Sequence, residues 1–194
     1  MTIEINTVYF EKQGRVNTDQ VLRIAQKRAE ELGLKTIVVA STTGNTAAKA
    51  AGVFNSMKVI AVGHSAGFTH GSPQPNVQKF TRENRELVEL KGGTVLNTTH
   101  AFAGVSRAIR NKFKTSTDID IIANTLKIFG NGMKVACEIT MMAADSGLIL
   151  INDADIIAIA GSGGGADTAI VIQPVISQDF FDLKVKEILC KPRL

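Results

Sequence analysis

Apolar residues recur along this chain at two spacings, helical and strand-like, and their alternation points to a class of fold. In TDQVLRIAQKRAEEL (18–32) the apolar positions Val21, Leu22, Ile24, Ala25, Ala29 and Leu32 fall near helical spacing. Asn17 or Thr18 can cap the start, and Gly33 ends the run. KTIVVA (35–40) follows, a short β-branched run without polar alternation, as a strand buried on both faces of a parallel sheet requires. The pattern then repeats: a small-residue helix over 45–54, a strand MKVIAVG at 57–63, a polar loop over 64–78, a helix over 80–91 closed by Gly92-Gly93, and a strand TVLN at 94–97. Short buried strands separated by helices need crossover connections and therefore pair in parallel.

Residues 102–148 carry no strong strand pattern and predict three consecutive helices, at 102–113, 117–129 and 132–147, punctuated by Gly130, Gly132 and Gly147. The second has a cap at Ser116 or Thr117 and acidic residues in its first turn, which suits the helix dipole. A strand DIIAIAG (155–161), a loop SGGGAD, a strand TAIVIQP (168–174) and an alternating segment LKVKEILC (183–190) complete the chain, the last expected to extend the sheet at one edge. No internal repeat or linker interrupts the pattern, so residues 1–194 are expected to form a single α/β domain.

Composition fits that picture. The 194 residues are 44% hydrophobic and 21% charged, enough to bury a full core without a disulfide or metal staple. Cys137 and Cys190 lie far apart in apolar surroundings and are expected as small core residues; no spacing suits a zinc site. No basic-then-apolar leader opens the chain, and its apolar runs are broken by residues such as Asn152, Asp153 and Asp155, which predicts a cytoplasmic protein with no membrane span. The formal charge of +4 favours anionic partners. The basic run RAIRNKFK (107–114) lacks flanking aromatics, however, and with no Trp and one Tyr in the chain a base-stacking surface for nucleic acid is not expected.

Three loops at the expected carboxyl ends of strands can carry chemistry. STTGNTAAKA (41–50) leaves a buried strand and opens a helix: Ser41, Thr42, Thr43 and Thr46 offer hydroxyls, Gly44 admits a close backbone approach, and the helix start presents amides with partial positive charge. Those features suit a phosphate, although neither a P-loop nor a GxGxxG fingerprint is present; a simply capped turn is the alternative. GSGGGADTA (161–169) offers Gly161, Gly163, Gly164 and Gly165 at the same edge, where open α/β sheets bind ligands. The alternative there is a tight hairpin whose turn Asp167 fixes. In GHSAGFTHGSPQPN (63–76), His64, Phe68 and His70 can cover a ligand, with Phe68 a ring-stacking candidate, and His100 falls at an equivalent place after the next strand. Glu138 lies four residues after Lys134 in an apolar helical run, either lining the pocket or closing an i,i+4 ion pair. No Ser-His-Asp order, HExxH or carboxylate pair argues for hydrolysis.

The strand with STTGNTA resembles the effector phosphate loop of the pyruvate kinase carboxyl-terminal domain. More closely, VYFEKQGRVNTDQ (8–20), VVASTTGNTA (38–47), the helix with GGTV (88–95), KVACEITMMAADSG (134–147), GSGGGADTAIVI (161–172) and FFDLKVKEILCKPR (180–193) resemble the stand-alone archaeal proteins of that superfamily. The resemblance implies a three-layer α/β/α fold with a mixed, mostly parallel sheet of order 3-2-1-4-5 whose last strand is antiparallel, and bound flavin mononucleotide (FMN). It carries phosphate contact onto Ser41, Thr42, Thr43, Gly44, Asn45 and Thr46. Topology adds His64, Gly67, Phe68 and His100, and from the glycine loop Gly161, Ser162, Gly163, Gly164, Ala166 and Asp167. The catalytic barrel of pyruvate kinase has no counterpart here, so kinase activity is not implied. Asn45 stands where a basic residue is common in that effector site, which argues against a bisphosphorylated sugar.

The expected function is binding of a phosphorylated small molecule, FMN first, with the ring near Phe68, His64 and His100 and the cofactor carrying any redox chemistry. The alternatives are a non-catalytic sensor of a nucleotide or sugar phosphate, and an assembly module whose basic face binds nucleic acid. The substrate and the oligomeric state, a homo-oligomer included, are not specified by the sequence.

Overall fold

A computed structural model describes residues 2–67, 74–152 and 154–194. The chain runs β1 (Val8–Phe10), α1 (Thr18–Leu32), β2 (Thr36–Ala40), α2 (Asn45–Val53), β3 (Lys58–His64), α3 (Arg82–Leu90), β4 (Thr94–Thr98), α4 (Val105–Phe113), α5 (Asp118–Lys127), α6 (Asn131–Asp145), β5 (Ile156–Ala160), β6 (Thr168–Gln173) and β7 (Lys184–Pro192). Seven strands form one sheet in the order β1-β7-β6-β5-β2-β3-β4. Counted in chain order, β2 to β6 reproduce the 3-2-1-4-5 arrangement, with β5 and β6 pairing antiparallel and β2 pairing parallel to β3 and to β5.

The sheet is wider than that five-strand order. β7 adds antiparallel to β6, and the short β1 then pairs in parallel on its outer side, Val8 opposite Cys190, so the carboxyl-terminal strand is not the edge. β1 spans three residues, too few to show an alternation. The bidentate pair of Arg28 on α1 with Glu187 on β7, at 2.7 and 2.8 Å, fastens this side of the sheet to the helical layer.

Side chains leave each strand alternately to opposite faces, and both faces are covered. Ile37, Val39, Val59, Ala61, Ile157 and Ile159 pack with α1 and α2 in one core; Val38, Ile60, Val62, Ile156, Ala158 and Ile170 pack with α6 in the other. Two apolar faces are why these strands lack a polar alternation. The helix-only stretch after β4 thus supplies the second outer layer through α6, with α5 packed on it. Cys137 and Cys190 are buried in these cores, and burial pushes both thiols up to about 12.

Because β2, β3, β4 and β5 are parallel, their carboxyl ends and the loops that follow share one edge. At that edge α3 braces the 41–46 loop: the Thr81 amide and the Asn84 side-chain amide both donate to the Thr43 carbonyl, at 3.1 and 3.0 Å, and Asn84 also donates to Asn45 Oδ1. Gly44 makes the approach possible. It caps α2 with φ of 97°, and a β-carbon there would stand 2.7 Å from the Phe80 ring and overlap Asn84. Gly44→Ala is expected to destabilise the fold by about 2–3 kcal/mol through strain and the separation of α3 from the loop, read as a lower midpoint in urea unfolding.

Candidate functional site

A cavity of about 950 Å³ opens at the carboxyl edge of the strands. Its walls include Thr42, Thr43, Asn45 and Thr46 of the β2–α2 loop, His64 at the end of β3, His100 after β4, and Gly161, Gly163, Gly164 and Gly165 after β5. Ala40, Val62, Val135 and Ile139 supply an apolar part of the wall.

Within the 41–46 loop the roles divide. The Ser41 hydroxyl accepts from the Ala47 amide at 3.3 Å and so caps α2 from inside, while Thr42 Oγ1 lies 3.0 Å from His64 Nε2. The first turn of α2 has no acidic residue, and the Gly44 cap has no side chain to compete for its leading amides. The capped-turn reading therefore holds for Ser41, and the atoms that the anion-cradle reading would use, the leading amides of α2 and the threonine hydroxyls, are different ones of the same segment.

The 161–167 segment is the hairpin between antiparallel β5 and β6, and it is tied to the turn that precedes α1. Asp167, fully buried, accepts from the Gly14 amide at 2.8 Å, the Ser162 amide at 3.0 Å and the Thr168 hydroxyl at 2.8 Å; the Ala166 amide donates to Thr18 Oγ1. Asp167 and Ala166 thus hold the hairpin, and neither they nor Ser162 forms part of the cavity wall, which the neighbouring glycines line. Gly44 and Gly67 are likewise off the wall; the Gly67 amide donates to the Val77 carbonyl. Phe68 and His70 lie outside the described residues.

The two histidines meet. Their rings stack with centroids 4.4 Å apart and planes 26° off parallel. Behind them, Glu138 on α6 is fully buried: Oε2 lies 3.1 Å from His100 Nδ1 and also receives Lys134 Nζ, and Oε1 accepts the Phe102 amide at 2.9 Å. Glu138 therefore both lines the cavity and pairs with Lys134, the two readings left open by its spacing. Burial alone would raise its pKa, but the hydrogen bond and charge of His100, with the ammonium of Lys134, outweigh it and hold the carboxyl at about 2. Burial lowers the Lys134 pKa, more strongly than Glu138 raises it, and the charges of Lys127 and Arg107 push the same way.

Sequence patterns singled out Lys134, as the partner of Glu138, and the basic run that begins at Arg107, but not the other cations of the wall. Among the described residues the walls carry Arg15, Lys49, Lys79, Arg107, Lys127 and Lys134 against one carboxylate, Glu138. They come from six separate places in the chain. Of these Lys49, one helical turn past Thr46, and Lys134, the partner of Glu138, sit inside segments noted for chemistry. Lys49 also reaches Asp19 at 2.7 Å, an exposed pair.

A three-layer α/β domain with a cavity, lined by six cationic side chains and one carboxylate, at the carboxyl edge of its parallel strands is the class that fold and site define. Within that class the chain belongs to the family of the pyruvate kinase alpha/beta domain, whose model matches residues 19–172. Among solved structures it is similar to O-ureido-L-serine synthase, at 22% identity with a TM-score of 0.32 over 58% of this chain and 30% of that one. It is also similar to Cryptosporidium parvum pyruvate kinase in complex with ADP, at 15% identity and a TM-score of 0.39 over 81% of this chain and 24% of that one. The chain thus spans less than a third of either protein.

No helix among the described residues is long and apolar enough to cross a membrane. Glu138 supplies a pH dependence of known sign. Its folded pKa lies below the ordinary 4.5, so its stabilisation is present above that value and is lost as pH falls through about 2. Chemical denaturation across that window should show wild-type protein losing on the order of 3 kcal/mol more than Glu138→Gln, which cannot ionise. Parallel pH curves for the two proteins would contradict this assignment.

Proposed function

We propose that this protein binds a phosphorylated small molecule at the carboxyl edge of its sheet, with FMN the first candidate. The supporting observation is the cavity wall, in which threonine hydroxyls, the start of α2 at the side-chain-free cap Gly44 and six cationic side chains accompany one carboxylate that is already paired. Such a wall favours a dianion, because amides and hydroxyls can take its oxygens while the cations offset its charge.

The residues present suit FMN. The cavity volume is within the range that holds a cofactor of this size. The phosphate would rest on Thr43, Asn45 and Thr46 with Lys49 beside it, and the ring on the apolar wall of Ala40, Val62 and Ile139 next to the stacked histidines. Bound FMN would supply reversible electron and hydride transfer; the protein's part is to hold the phosphate, orient the ring and exclude water. The likeness to stand-alone archaeal relatives belongs to this proposal, as does a cytoplasmic location.

A second reading, a sensor that binds its phosphorylated ligand without chemistry, draws on the polar groups of the wall. Glu138, His100 and Lys134 bond to one another, an arrangement that fixes a binding site as well as it would serve proton transfer.

Freshly purified protein is expected to carry a flavin spectrum, or to bind added FMN with quenching of its fluorescence. Thr46→Val with Lys49→Ala should weaken binding about tenfold, the loss of one charge-assisted contact. Colourless protein that neither binds FMN nor is stabilised by it would remove the flavin. Flavin binding without oxidation of a nicotinamide donor would favour the sensor.

A further inference from the structure

The turn that leads into α1 is held against the β5–β6 hairpin and carries Arg15 on the cavity wall. Between β1 and α1 the chain folds back on itself: the Asn17 side-chain amide donates to the Lys12 carbonyl at 2.7 Å, and the Asn17 backbone amide to the Gly14 carbonyl at 3.1 Å. The hairpin then locks this turn in place. Asp167 takes the Gly14 amide, and Thr18 Oγ1 takes the Ala166 amide. The two backbones meet through glycines: a β-carbon on Gly14 would stand 2.9 Å from the Ser162 carbonyl oxygen, and one on Gly165 would overlap Arg15 Cα. A side chain carried on a backbone fixed in this way has less freedom to lose when a ligand orders it.

The guanidinium runs along the hairpin where it has no side chains, since Nη2 lies 3.8 Å from the place a β-carbon on Gly164 would take. The two carboxylates of this corner are engaged by other groups. Asp167 accepts from the Gly14 and Ser162 amides and the Thr168 hydroxyl, and Asp19 pairs with Lys49 at 2.7 Å. The Asp19–Lys49 pair also ties the first turn of α1 to α2 one turn past Thr46. Both helices pack on the same face of the sheet, with α2 between α1 and α3. Arg15 therefore enters the cavity beside the 41–46 loop, from the α1 side.

We propose that Arg15 grips the phosphate of the ligand, closing the seat of the 41–46 loop on the side away from α3, and that the hairpin lock through Asp167 positions it there. This rests on the reading that the 41–46 loop holds a phosphate, and it narrows the ligand to a phosphomonoester. The planar fork of an arginine takes two terminal oxygens of such a group at once, while the amides and hydroxyls of the loop take the third. FMN, with a terminal phosphate, meets that requirement; riboflavin, the same ring and chain without phosphate, does not.

Those two flavins form the test, titrated against the intact chain by quenching of their fluorescence. Arg15→Ala should weaken FMN about thirtyfold and leave riboflavin within about twofold of wild type. Arg15→Lys, which keeps the charge without the fork, should fall between wild type and Arg15→Ala. Arg23→Ala, the same loss of charge at an exposed position of α1 outside the wall, should leave FMN unchanged. Unaltered FMN affinity in Arg15→Ala would overturn the role of Arg15 alone. So would equal losses for both flavins with unchanged circular dichroism, or a loss as large in Arg23→Ala. Wild-type protein that binds the two flavins equally, or binds neither, would overturn the phosphate reading itself, and the role of Arg15 with it.

Discussion

Parallel strands covered on both faces leave their polar chemistry only one place to go. The interior of β2, β3 and β5 is apolar in every direction, so no charged or hydrogen-bonding side chain can be placed along their length without a large desolvation cost. At the carboxyl edge the strands stop together, amides at the start of helices lack intrahelical partners, and side chains reach water. The threonines of the β2–α2 loop, the histidines after β3 and β4, and the glycines after β5 all occupy that edge for the same reason.

Close approach is what turns the edge into a cavity. Gly44 lets α3 and Phe80 press against the 41–46 loop, and Gly132 lets α6 meet the start of β6. The histidine pair and Glu138 show the same economy on the polar side. A fully buried carboxylate is tolerated because a lysine, a histidine and a backbone amide satisfy it, and in return it fixes the His100 ring against His64. Glu138, His100 and Lys134, bonded to one another, thus line one side of the cavity, with His64 stacked on His100.

Local patterns carried most of the architecture. The helix from Thr18 to Leu32, the buried strand runs and the capped start of α5 are written in a few consecutive residues, since burial on two faces, helical periodicity and a Thr117–Asp120 capping box are short-range properties. β1 was not legible, because three residues are too short for a period; its strand state comes from pairing with β7. The hairpin at 161–167 illustrates a shared signal: glycines that could open a ligand site are also what a tight connection needs, and the structure shows the connection, with its glycines on the cavity wall.

The sequence by itself settled the order of helices and strands from α1 onward, the two-faced burial of the sheet and the location of a hydroxyl-rich helix start, since each depends on neighbours within a dozen positions. Only the tertiary structure decided which charges line the same cavity as that helix start. Arg15, Lys79, Arg107 and Lys127 stand in unrelated stretches and are indistinguishable in sequence from solvated surface cations. What brings them to one cavity is the convergence of loops from both layers at one edge of the sheet.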